Sequence, residues 1–100
     1  MSESNRKILI ADDAHSIRVF ISHFFAKAGH VILEADNGES AIFTAREFLP
    51  DLIILDINMP KLGGIDVLGV LRLDPQFDHS AILILTSERD TNIVKAAIEG

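Results

Sequence analysis

The feature that most constrains this chain is an alternation of short apolar runs with longer stretches of helical period. Lys7–Ala11 (KILIA) reads as a buried strand. Apolar residues then fall at Ile17, Phe20, Ile21, Phe24 and Ala28, one face of an amphipathic helix that Gly29 ends with a left-handed cap. Val31–Ala35 (VILEA) reads as a second strand, and Asn37-Gly38 as a turn. Ala41, Ile42, Ala45, Phe48 and Leu49 mark a second helical face, stopped by Pro50. Residues 52–55 (LIIL) are apolar at every position, as befits a strand covered by helices on both faces. A shorter helix is expected over residues 64–73, then a loop over 74–80 and a fourth strand at Ala81–Leu85 (AILIL). A fourth helix over residues 87–99 opens on a variant capping box, Ser87-Glu88-Arg89-Asp90.

A β-α-β-α-β-α-β-α order without repeats implies parallel strands joined by right-handed crossovers, an open doubly wound α/β sheet. Its 100 residues make one small domain over positions 1–100, with the polar residues 1–5 expected to be a flexible start. The lack of cysteine excludes disulfides and thiolate metal sites, and suits a cytoplasmic location. No apolar run approaches the roughly 20 residues of a membrane span, so no membrane partner is expected. A net charge of −6 argues against direct nucleic-acid binding, which needs a basic face.

Ligands of such sheets bind beyond the carboxyl ends of the strands. There the sequence places Asp12 and Asp13 after the first strand, Asp56 after the third and Thr86 after the fourth. Two unit charges about 4 Å apart repel by roughly 4 kcal/mol at an effective dielectric near 20, so clustered carboxylates need a countercharge. Mg²⁺ is the simplest one, since it favours oxygen donors and combines one or two carboxylates with a phosphate. With it, an ionised Asp56 could attack phosphorus, the Thr86 hydroxyl could donate to a phosphoryl oxygen, and backbone at Ile57 and Asn58 could help. Read singly, the same residues have ordinary structural explanations. Asp13 would cap the following helix, Thr86 and Ser87 would be a strand end and a cap, and Met59-Pro60 and Gly63-Gly64 would be turns. Asp56 is harder to explain in that way, because it closes a fully apolar strand with no helix starting at once. The four histidines show no metal-ligand spacing and read as surface or edge residues, although His15 falls near the site. Phe20, Phe24, Phe25, Phe43 and Phe48 read as core, and Phe77 as a loop residue without a role.

Three blocks taken together resemble the response-regulator receiver family: residues 8–13 (ILIADD), residues 56–64 (DINMPKLGG) and residues 85–87 (LTS), with Asn37-Gly38 also matching. The resemblance runs from about Arg6 to Gly100. It implies a flavodoxin-like receiver fold with strand order 2-1-3-4, here in four βα units. It further implies Asp56 as phosphoacceptor, Asp12 and Asp13 as Mg²⁺ ligands with the Asn58 backbone carbonyl, and Thr86 as the switch hydroxyl. A sensor histidine kinase or phosphotransfer protein would donate the phosphoryl group. A downstream protein target would read the result, in a switch that assists its own phosphorylation and is not a turnover enzyme.

The family pattern continues with a fifth strand and helix, which lie past Gly100. That strand ends in a lysine that pairs with the phosphoryl group, and it carries an aromatic switch residue. Neither Lys61 nor Lys95 stands in the position of that lysine. Gly63 also departs from the polar or acidic residue usual there. An apolar fourth strand at the sheet edge leads to the expectation that this form self-associates. Two other functions compete: a scaffold that keeps the fold without the chemistry, and a phosphohydrolase with an aspartate nucleophile. The second favours another acid two residues on, where this chain has Asn58. A nucleotide or flavin module is weaker still, since no glycine-rich loop follows the first strand.

Overall fold

The computed structural model describes residues 6–85. Four parallel strands form one sheet in the order β2-β1-β3-β4: β1 (Lys7–Ala11), β2 (Val31–Ala35), β3 (Leu52–Asp56) and β4 (Ala81–Leu85). Helices α1 (His15–Lys27), α2 (Gly38–Phe48) and α3 (Gly64–Arg72) make the crossovers, as the alternation requires. The register sets Ala11 beside Ala35 on one side and Leu55 on the other, so β1 and β3 end side by side. The expected helix over residues 87–99 lies outside the described residues.

Alternate strand residues serve opposite faces of the sheet. Leu9, Ala11, Ile53 and Leu55 point into the main core with Ala41 and Ala45 of α2 and Val67, Leu68 and Leu71 of α3. Ile8, Ile10 and Ile54 point the other way, against Ile21 and Phe25 of α1. The apolar run at residues 52–55 of β3 is thus explained by cover on both sides.

Local chemistry sets the helix ends. Asn37 caps α2, its side-chain oxygen accepting from the Ser40 N–H at 2.8 Å. The sequence turn at Asn37-Gly38 is therefore a helix start. Past α1, Gly29 takes a positive φ of 95°, and the His30 N–H reaches back to the Phe25 carbonyl at 3.3 Å.

Three expectations about packing are corrected. In α1, Phe20 and Phe24 are 74% and 65% exposed, Ile17 is also exposed, and no residue is fully buried. The apolar stripe of α1 is wider than its contact with the sheet. The helix seats its Ile21–Phe25 flank and leaves the Phe20–Phe24 flank outside. In α2 the small Ala41 and Ala45 face the sheet and let the helix lie close, which leaves Phe43, Phe48 and Leu49 at the exposed margin. Phe77, read as a loop residue without a role, is wholly buried in the main core. The segment after α3 contains a 3-10 turn, Pro75–Phe77, whose cap Asp74 accepts from the Gln76 N–H at 3.0 Å. Arg72 Nη1 then holds the Phe77 carbonyl at 3.0 Å, and the ring turns inward. An aspartate followed by proline was the available signal, since that pair favours a helical turn.

Candidate functional site

The carboxyl ends of β1 and β3 bring three acids together. One carboxylate oxygen from each of Asp12, Asp13 and Asp56 lies within 4.8 Å of the others. Asp12 is buried, Asp56 half-buried and Asp13 exposed, so the cluster opens to solvent on one side.

Asp12 is fixed from several directions. Its N–H continues the sheet to the Ala35 carbonyl at 3.1 Å, and its Oδ1 accepts from the Ala14 N–H at 2.8 Å. Its own carbonyl accepts from Arg18 Nη1 at 2.7 Å. The cap position of α1 is Ala14, without any side-chain bond. Asp13 therefore does not cap the helix, and the ordinary structural reading of that residue falls. Arg18 also bonds Glu34 through Nε at 2.9 Å and approaches His15 Nδ1 at 3.3 Å. Sequence reasoning passed over Arg18. Its signal is a cation on the sheet side of α1 opposite a glutamate in β2.

Asp56 ends β3, and the Ile57 N–H pairs onward with the Leu85 carbonyl at 3.0 Å. The following loop is gripped by two helix starts. The Gly64 N–H donates to the Ile57 carbonyl at 2.9 Å, and the Gly38 N–H to the Pro60 carbonyl at 3.3 Å. Both glycines are needed for close approach: a β-carbon at Gly64 would strike the Asp56 carbonyl, and one at Gly38 the Leu62 carbonyl. Met59-Pro60 and Gly63-Gly64 are thus parts of the site's frame. Lys61 adopts a left-handed φ of 72° and lies 3.7 Å from Glu39.

Burial is the main cause that raises the Asp56 carboxyl above the ordinary carboxylate value, and the Asp12 charge is next. Backbone hydrogen bonding at Asn58 opposes the rise, and Asp13 adds a smaller push upward. Hard oxygen donors held against their own repulsion suit a hard divalent cation, so the residues present fit Mg²⁺. Thr86 and Ser87 lie outside the described residues, as does Lys95.

The model of the response regulator receiver domain matches residues 8–100. The chain belongs to that family. This receiver is 36% identical over 96 residues to the chemotaxis protein CheY of Thermotoga maritima, covering 94% of this chain and 78% of that one. It is 41% identical over 68 residues to the alkaline phosphatase synthesis transcriptional regulatory protein PhoP of Bacillus subtilis, covering 68% of this chain. The solved structure of CheY4 from Vibrio cholerae superposes with a TM-score of 0.86 at 33% identity, covering 95% of this chain and 78% of that chain. The receiver spans 28% of PhoP and 44% of a second transcriptional regulator it matches. It is a phosphoacceptor module of two-component signalling by family, and its flavodoxin-like sheet has the expected order. Among the described residues, no helix is long and apolar enough to cross a membrane.

Proposed function

We propose that Asp56 accepts a phosphoryl group from a sensor histidine kinase or a phosphotransfer protein, in a cytoplasmic phosphorelay. The observation that carries this reading is the meeting of Asp12, Asp13 and Asp56 within 4.8 Å at the ends of two adjacent parallel strands. An Asp56 carboxylate oxygen attacks the phosphorus of a phosphohistidine. The P–O bond forms as the P–N bond breaks, and the electron pair leaves on the imidazole nitrogen. The product is an acyl phosphate on Asp56.

Asp12, Asp13 and Asp56, with the Asn58 carbonyl, would hold Mg²⁺, which when bound supplies positive charge against the carboxylates and the phosphoryl oxygens. Asp56 must be ionised to attack, and its raised carboxyl means that a countercharge favours the attacking form. Asp12, locked by the Ala14 N–H, is a fixed ligand, whereas exposed Asp13 stands on the side where phosphodonor and water enter. The Thr86 hydroxyl would donate to a phosphoryl oxygen and report the loaded state to a downstream protein. The module is a switch that assists its own phosphorylation, not a turnover enzyme.

The test is intact mass after incubation with Mg²⁺ and acetyl phosphate, beside an Asp56→Asn control. A gain of one phosphate, lost in the control, is the expected result. No gain in a folded protein that binds Mg²⁺ would leave a receiver-like scaffold. Self-association belongs to the same proposal. A second copy is the partner proposed for the apolar fourth strand, whose Leu83 is 49% exposed among the described residues. A monomer in sedimentation across a wide concentration range would overturn that part.

A further inference from the structure

We propose that Arg18 is a positioning residue for the acidic cluster: held between the Asp12 carbonyl and Glu34, its guanidinium sets the peptide from which Asp12 and Asp13 reach a divalent cation. The inference rests on the metal-binding reading of that cluster. It starts from α1, which follows Asp12 and Asp13 directly yet buries none of its residues fully. Among the described residues its packing on the sheet comes through Ile21 and Phe25, and the directional bonds of Arg18 add to it.

Asp12 has two backbone restraints, from its N–H to Ala35 and from the Ala14 N–H to its carboxylate. Neither depends on a particular side chain at position 18. The third restraint does, since Arg18 Nη1 meets the Asp12 carbonyl at 2.7 Å while Nε meets Glu34 at 2.9 Å. The Arg18 side chain is only 15% exposed, against 45% for Glu34, so the fork lies beneath its partner and is shielded from competing water. A planar guanidinium can hold both acceptors in fixed geometry, which a lysine ammonium cannot. The contact ties the end of β1 to the second turn of α1 and orients the Asp12–Asp13 peptide between them.

The test is calorimetric titration of the 100-residue chain with Mg²⁺, comparing Arg18→Met, Arg18→Lys and Asp13→Asn with the parent. Loss of a contact that orients a metal ligand weakens metal binding about 10-fold or more, the size expected for Arg18→Met. Arg18→Lys should fall between parent and Arg18→Met. In acetyl phosphate labelling, the Mg²⁺ concentration for half-maximal rate should rise in Arg18→Met, while the rate at saturating Mg²⁺ returns to the parent value. A general loss of structure would not give that split. An Arg18→Met chain with a parent-like amide spectrum and Mg²⁺ affinity within about twofold of the parent would overturn the proposal. Were Arg18→Met unfolded, parent-like affinity in Arg18→Lys would overturn it equally. Asp13→Asn separates the two layers. If it alone loses Mg²⁺, only the role of Arg18 fails; if it binds as the parent does, the metal site itself falls and the proposal with it.

Discussion

The two faces of the sheet are built from alternate residues of the same strands, yet among the described residues they are unequally covered. The face under α2 and α3 holds a continuous core that includes Leu9, Ile53, Leu55, Val67, Leu71 and Phe77, all with no exposed surface. The face under α1 has Ile8, Ile10 and Ile54 buried, with half-buried Ile21 and Phe25 above them and Phe20, Phe24 and Leu83 open to solvent. The acidic site lies where the two meet. The loop after Asp56 is gripped by the starts of α2 and α3, while Asp12 and Asp13 lead into α1. One side of the site is therefore framed by two closely approaching helix starts, and the other by the bonds of Asp12 and Arg18. Disturbances on the two sides should differ in kind, stability on one and metal geometry on the other.

The largest effect should come from the packed face. Phe77→Ala removes a wholly buried ring and is expected to cost about 3–5 kcal/mol. That is a large part of the roughly 5–15 kcal/mol available to a small domain. The urea midpoint measures it, and a loss below about 1 kcal/mol would show the packed face to be loose as well.

Gly64→Ala comes next and acts on the frame of Asp56. Its new methyl would press on the Asp56 carbonyl, and overpacking of this kind costs about 1–3 kcal/mol. Because the displaced backbone is that of the acceptor itself, acetyl phosphate labelling should slow by roughly tenfold or more. Stability lost with no change in labelling would detach the packed face from the chemistry.

Particular residues show how much of this was legible. The strands and the convergence of Asp12, Asp13 and Asp56 follow from alternation in a parallel sheet, while the strand order followed from the family resemblance. The burial of phenylalanines does not. Phe24 and Phe77 are the same residue type in opposite environments. Helical period locates an apolar stripe but not which flank of it meets the sheet, and a 3-10 turn of three residues leaves no period to read. Arg18 was equally hidden, since its partners are a backbone carbonyl and a glutamate in another strand. Nor does spacing reveal why Gly38 and Gly64 are glycines, which depends on backbones meeting across the loop.

The acidic cluster supplies a smaller effect of opposite sign. The Asp56 carboxyl lies above its ordinary value, so in the intervening pH range the folded chain binds more protons than the unfolded one. Asp56 thus contributes relative stability below the ordinary carboxylate value, and that contribution is lost as pH rises through the folded value. At neutral pH, without metal, Asp56→Asn should therefore stabilise the chain by about 1 kcal/mol, since charges near the surface are strongly screened. Melting temperatures across a pH series check the sign. The gain should fade on acidification, and added Mg²⁺ should stabilise the parent more than the variant. A variant less stable than the parent at neutral pH would mean that the carboxylates are not in conflict.

The smallest effect is expected on the thin face. Phe20 is 74% exposed, and exposed substitutions away from special contacts stay within about 0.5 kcal/mol, so Phe20→Ala should leave the urea midpoint nearly unchanged. Beside Phe77→Ala it measures the asymmetry directly, with the same chemical change made on the opposite face. Phe24→Ala should cost slightly more, because the Phe24 ring stands edge-on to Phe25 with centroids 5.1 Å apart. Should Phe20→Ala prove as costly as a core substitution, the α1 flank is covered in solution. Dependence of that cost on protein concentration would then identify the cover as a second copy, and the two faces would be equal only in the assembly.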